Sequence, residues 1–312
     1  MKLRKLLFVL CAVLVVLASC RWDKPATAPS QSEDDTITCI GHPPVPVMLD
    51  SPSLRQRYLA LHFWDLVNVP DTHYIHHPKL LDARWDRYIL LLAGVDSSTA
   101  HQSLDRLITR FIANPPLTLY FLQKAEGTWY DPNGRLRQPQ LYQYALDALE
   151  GTGVQDDAFL HYLAQVPMLR RNSLGTTAQD FTYTDRHGRR GTLHALRSPY
   201  LLLYLNNPDC QACQVLRRQF TQAPQLQQWI GKGQVTVLSV YTDDDEAMWE
   251  KCCQEYPAAW IVARDHHQQI SEQGLYDLQA IPSLYLLDRD KQVLLRDAAL
   301  GSILSYLQRV LE

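Results

Sequence analysis

The sequence predicts a multidomain α+β chain: an all-helical region over residues 51–171, then an α/β region over 172–312 built on a central mixed sheet. Three observations carry this. Between Ser53 and Arg171 apolar residues recur at spacings of three and four, with no strand-like alternation. Beyond Asn172, short apolar runs bounded by turns alternate with helical patterns. The length, 312 residues, exceeds what one hydrophobic core usually organises.

The first residues read as a targeting segment. Residues 1–5 are basic, and residues 6–17 are apolar but short for a bilayer span. Leu17-Ala18-Ser19-Cys20 places small residues before a cysteine and resembles the bacterial lipobox. Residues 1–19 are therefore expected to be a lipoprotein signal peptide, with Cys20 the lipidated first residue. A plain signal peptide or a single-span anchor is the alternative. The expected location is the cell envelope, as a periplasm-facing or outer-membrane lipoprotein held to the membrane by its N-terminal lipid. Residues 20–50, broken by Pro25, Pro29, Pro43, Pro44 and Pro46, read as a flexible tether. Cys39 lies in it, and the sequence assigns it no role.

The composition, 46% hydrophobic and 20% charged, is that of a soluble globular protein. A net charge of −3, with no basic patch interleaved with aromatics, argues against a nucleic-acid partner.

In the helical region Leu54, Tyr58 and Leu61 begin the pattern, with Ser53 as an expected N-cap. A second helix spans about 78–92. Asp96 caps a third, whose core stripe is Leu104, Leu107, Ile108, Phe111 and Ile112. Further helices are expected over 117–123, 141–149 and 156–166, with a turn at 129–134. His73, His76 and His77 read as a polar loop rather than a metal site, since no carboxylate or cysteine completes a ligand set nearby. Trp64, Trp85 and Phe111 sit at core spacing.

In the α/β region, 181–193 reads as a hairpin turning at Gly188. Residues 201–205 and 235–241 read as buried strands. Asp243, Asp244, Asp245 and Glu246 begin a helix, where acids suit the N-terminal dipole; the twelve-residue calcium-loop pattern is absent. That helix carries Trp249, Cys252, Cys253 and Tyr256. The two cysteines read as small core residues, with a vicinal disulfide or second redox pair as the alternative. Residues 260–263 and 284–288 read as strands, the latter introduced by Pro282, then a hairpin and a closing helix.

The chemistry is expected at Cys210-Gln211-Ala212-Cys213. A strand feeds this dithiol into the first turn of a helix, where exposed N–H groups and the dipole favour a thiolate. Cys213, one turn on, lies on the same face and can close a disulfide. Cys210 would attack and Cys213 would resolve the mixed disulfide. Half of a zinc site is the alternative. It needs a second ligand pair, and Cys252 and Cys253 diverge by about 100° on a helix. His266 and His267 could be recruited, but nothing in their spacing requires it.

This order of strand, Cys-x-x-Cys helix, strand, helix, Ile281-Pro282-Ser283 strand and hairpin resembles the thioredoxin fold. It is most similar to membrane-tethered thioredoxin-like proteins that serve cytochrome maturation and envelope thiol reduction. The whole chain resembles Bacteroidetes lipoproteins that join a helical domain of unknown function to such a domain. The resemblance implies Cys210 as nucleophile, Cys213 as resolving thiol and Pro282 as a cis-proline beside the thiols. It also implies that the backbone of Ile281 pairs with substrate. Three positions depart from the pattern: Asp209 stands where Trp is usual, Tyr204 where thioredoxins bury an acid, and Leu216 where tethered relatives carry Glu. Asp209 is expected to modulate Cys210 by disfavouring its thiolate.

The expected function is an envelope thiol–disulfide oxidoreductase that reduces client protein disulfides, needs no cofactor or metal, and is recharged by a redox partner protein. The alternative is a non-catalytic scaffold with a structural Cys210–Cys213 disulfide. Copper carriage ranks below both, since no Met or His accompanies the dithiol.

Overall fold

The computed structural model describes residues 43–312, apart from 71, 72, 77, 135 and 266. The expected signal peptide, Cys20 and Cys39 lie outside the described residues, as do His77 and His266. Among the described residues, no helix is long and apolar enough to cross a membrane.

The helical half is built from α1 (Pro52–His62), α2 (Pro78–Leu92), α3 (Ser97–Phe111), α4 (Pro115–Ala125) and α5 (Pro139–Gly151). Side-chain caps set the starts of α1, α3 and α4. Ser51, not Ser53, caps α1, accepting the Leu54 N–H at 3.2 Å, because Pro52 fits the first helical position and lacks an N–H to satisfy. Asp96 caps α3, accepting the Thr99 N–H at 3.0 Å.

Two expectations fail here for local reasons. The turn expected at 129–134 begins later. α4 instead runs into a π-turn, Glu126–Tyr130, which carries Trp129 and Tyr130 into the core. There Trp129 packs 5.1 Å from the Trp85 ring, and the Trp85 indole N–H donates to Thr128 at 3.0 Å. The single helix expected over 156–166 is three short turns, Asp157–Phe159, Leu160–Leu163 and Val166–Arg170. Pro167 cannot sit inside a helix, so the chain restarts with it in the first turn. Trp64, Trp85, Tyr88, Phe111, Phe121 and Trp129 form one aromatic core.

The second half is a seven-stranded mixed sheet in the order β2-β1-β5-β4-β3-β6-β7. Its strands are β1 (Thr182–Asp185), β2 (Arg190–Thr192), β3 (Tyr200–Asn206), β4 (Val235–Tyr241), β5 (Ile261–Arg264), β6 (Ser283–Asp288) and β7 (Val293–Arg296). β3 runs parallel to β4 and antiparallel to β6. Its unbroken apolar run follows from burial on both faces. Leu202 and Tyr204 enter one core, with Phe220, Ile303 and Leu307; Leu201, Leu203 and Leu205 enter the other, with Tyr276 and Tyr285. Each buried leucine contributes roughly 1.5–3 kcal/mol.

Helices α6 (Gln211–Gln222), α7 (Pro224–Gly231), α8 (Glu246–Cys252) and α9 (Leu300–Leu311) complete this half. Pro224 both stops α6 and opens α7, a helix absent from the sequence reading.

Hydrogen bonds join the halves. The Arg171 guanidinium donates to the carbonyls of Gln273 and Gly274. At the start of the second half, Asn172, at φ +54°, fixes the chain within that half: it donates to the Leu275 carbonyl at 2.8 Å and accepts the Gln179 N–H at 2.7 Å. Asparagine tolerates that left-handed backbone.

Candidate functional site

The register of β3 against β6 assembles the site. Leu205 pairs with Ser283, so the end of β3 lies beside the start of β6. The chain leaves β3 into Cys210 and enters β6 through Pro282, which brings Cys210 and Ile281, 71 positions apart, to one place. The Ile281–Pro282 bond is cis.

The loop before the dithiol is fixed by Asn207. Its side-chain oxygen accepts the Asp209 N–H at 3.0 Å, and its carbonyl accepts the Cys210 N–H at 3.1 Å. This is the local turn that asparagine favours. Cys210 then takes the N-cap position of α6 with extended backbone, and its sulfur accepts the Cys213 N–H at 3.2 Å. A capping sulfur sits in the positive end of the helix field and gains most from that N–H when ionised. On its other side the Cys210 S–H donates to the Ile281 carbonyl at 3.6 Å. Cys210, Cys213, Ile281 and Pro282 therefore converge.

The two thiols differ. Cys210 is half-buried, whereas Cys213 is 2% exposed. Burial, and then the hydrogen bond with Cys210, pushes the Cys213 thiol up to about 12. The sulfur open to approach is thus that of Cys210, while Cys213 holds its proton at neutral pH.

Tyr204 does not act as an acid here. It is fully buried, and its hydroxyl donates to the Cys213 carbonyl at 2.7 Å, tying β3 to the first turn of α6. Burial drives its ionisation far above the ordinary tyrosine range. It holds the dithiol helix in place but offers no base for the Cys213 proton. Asp209 is exposed beside Cys210.

Several supporting residues were not singled out from sequence. Asn206 is buried and donates to the Tyr204 and Val240 carbonyls and to Ser239, while accepting the Tyr256 hydroxyl at 2.7 Å. Arg217 lies 4.6 Å above the Tyr256 ring and 3.3 Å from the Glu255 carboxylate. Arg217 is four residues after Cys213, so helical spacing alone could have flagged it as a cation on the dithiol face.

Cys252 and Cys253 are buried thiols, as expected of core residues. The Cys252 thiol contacts the Met248 sulfur at 3.5 Å. Among the described residues, no group of three or more His, Cys, Asp and Glu side chains could hold a metal ion.

The fold recurs in a solved relative. A crystal structure of a thioredoxin-like protein from Bacteroides caccae superposes with a TM-score of 0.82 at 36% identity, over 86% of this chain and 98% of that one. The chain belongs to the thioredoxin-like proteins. The likeness spans both halves, so this arrangement of helical and thioredoxin-like parts recurs in the relative. The C-terminal domain of an uncharacterized protein from Bacteroides fragilis is 39% identical over 44% of this chain and 98% of that one, with a TM-score of 0.43. The thioredoxin domain of a thiol-disulfide oxidoreductase from Bacteroides vulgatus is 17% identical over 45% of this chain and 99% of that one, with a TM-score of 0.39. A family model described as a domain of unknown function, DUF5106, matches residues 19–172. No curated protein matches the chain.

Proposed function

We propose that this thioredoxin-like protein is a thiol–disulfide oxidoreductase that reduces client protein disulfides through Cys210 and Cys213. The observation that carries the reading is the placement of the Cys210 sulfur between the Cys213 N–H and the Ile281 carbonyl, beside the cis Ile281–Pro282 bond. The Cys210 thiolate attacks one client sulfur, forming an S–S bond to the client and expelling its other sulfur as a thiolate. Cys213, deprotonated as it attacks, then forms a bond to the Cys210 sulfur and expels the second client thiolate. The client disulfide gains two electrons, and the two protons of the dithiol end on its thiols. The Cys210–Cys213 disulfide must then be reduced by a partner protein carrying its own dithiol.

Lipidation at Cys20 would hold this chemistry at the cell envelope, where disulfides form and persist. In that setting a second reading, a scaffold with a structural Cys210–Cys213 disulfide, draws support from Tyr204. A neutral hydroxyl sits where a proton-accepting acid would serve turnover.

Trapping separates the two. The Cys213→Ala protein is expected to accumulate mixed disulfides through Cys210 when incubated with oxidised envelope extract, and Cys210→Ala to accumulate none. Equal, trace-level adducts in both variants would leave the scaffold reading standing.

A further inference from the structure

The loop that ends in Pro282 is held from both domains. Ser283, directly after the proline, donates its hydroxyl to one Asp297 oxygen at 2.5 Å. Asp297 sits at φ +47°, with its carboxylate 8% exposed. Its other oxygen lies 3.7 Å from the Arg137 guanidinium and 3.9 Å from Nε of Arg296. Arg137 belongs to the helical half, in the segment between the π-turn and α5, and its side chain is 17% exposed. Its two terminal nitrogens make no hydrogen bond. Arg296 is committed elsewhere, donating to the carbonyls of Leu169 and Arg171.

The other end of the loop meets the same half. Asp277, buried, accepts the Gln279 N–H at 3.0 Å and acts on the Tyr130 hydroxyl of the π-turn, which burial and the Asp277 charge hold above the ordinary tyrosine range. A cleft of about 190 Å³ separates the halves at this point, lined by Arg137 and Pro139 on one side and Arg296 and Asp297 on the other. The Arg137–Asp297 ion pair spans the gap. A carboxylate this buried needs a paired cation, and Arg137 is a cation that the helical half supplies.

We infer that Arg137 is a positioning residue for the cis-proline loop: acting through Asp297 and Ser283, it lets the helical half set the wall against which a client disulfide docks at Cys210. The inference rests on the oxidoreductase reading of Cys210 and Cys213. Arg137 touches neither thiol, so its effect falls on client binding and not on the thiol chemistry. The helical half thereby acquires a task in the redox cycle.

Steady-state reduction of insulin by the full chain, with a chemical dithiol regenerating the enzyme, tests this. Arg137→Gln is expected to raise KM for insulin about three- to tenfold with kcat held within about twofold, and Arg137→Lys to recover most of the loss. Asp297→Asn, which keeps an oxygen for Ser283 but removes the charge, should raise KM alike. The double variant should be no worse than either single change, since both break one interaction. Wild-type turnover with an unchanged KM in Arg137→Gln, a loss confined to kcat, or additive effects in the double variant would overturn the inference and leave the oxidoreductase reading intact. Should Arg137→Gln not fold, Asp297→Asn alone decides by the same KM criterion. A wild-type protein inert towards insulin would remove the reading and the inference together.

Discussion

At the residue scale, the division of labour proposed for the two sulfurs rests on one being capped and accessible while the other is buried. Burial is the first cause of the raised Cys213 thiol, and it persists in the mixed disulfide, when the Cys210 hydrogen bond is gone. With no acid at Tyr204 to take the proton, the resolving step depends on the small fraction of Cys213 thiolate. Decay of a mixed disulfide between Cys210 and glutathione should therefore accelerate about tenfold per pH unit through neutral pH and beyond 9, towards about 12. Stopped-flow measurement of thiol release checks this, and a plateau below pH 9 would contradict it. The same shift has a stability sign. The unfolded chain sheds this proton near 9 and the folded chain near 12, so in that window the folded state binds more protons and loses stability as pH rises. Asp209 is the chain neighbour of the other sulfur. In a Cys213→Ala background, Asp209→Asn is expected to speed iodoacetamide alkylation of Cys210 about two- to threefold at neutral pH, by removing a carboxylate next to the developing thiolate. An equal or slower rate would remove Asp209 from the account.

At the scale of elements, position follows from register and from caps. Pairing of Leu205 with Ser283 brings Cys210 to Pro282, and Asn207 turns the chain so that the Cys210 sulfur can cap α6. In the helical half the π-turn Glu126–Tyr130 does comparable work, inserting Trp129 against Trp85 and presenting Tyr130 to Asp277. Trp129→Ala is expected to cost about 3–5 kcal/mol in chemical denaturation, because Trp129 is 1% exposed and its removal leaves a cavity. A cost under about 1 kcal/mol would mean the turn packs loosely. The strands, the dithiol helix and the loop before Pro282 were legible from sequence because each rests on a local signal: an apolar run, a Cys-x-x-Cys, a proline at a strand start. The π-turn was not, since 126–130 has no composition of its own and takes its shape from the Trp85 ring that it covers. The helix that Pro224 opens was hidden too, because a proline that ends one helix and a proline that opens the next look alike in one dimension. Asn206 and Tyr256 meet only in the folded chain, 50 positions apart.

At the scale of the whole molecule, the two halves are joined by polar contacts to the segment that leads into the cis-proline loop. Gly274 is the tightest of these joints. Its φ is +55°, and a Cβ there would lie 2.6 Å from Met168 Cε and 3.1 Å from the Arg171 guanidinium. Gly274→Ala is expected to destabilise the chain by on the order of 1–3 kcal/mol, and to split a single denaturation transition into two as the halves uncouple. Unchanged stability with one transition would show that the joint accommodates the methyl group. The helical half's aromatic core is separate from the two cores that flank the sheet. The polar contacts between the halves run through Arg171, Arg137 and Arg296.

The proposed function depends most on Cys210 and Cys213 exchanging electrons reversibly. Equilibration of the full chain in glutathione buffers of graded potential, followed by alkylation and mass measurement, reads that directly. The expected result is one reversible two-electron transition assigned to a Cys210–Cys213 disulfide, abolished by Cys210→Ser or Cys213→Ser and retained in Cys252→Ser. A dithiol that stays reduced throughout, stays oxidised throughout, or pairs with Cys252 or Cys253 instead would contradict it.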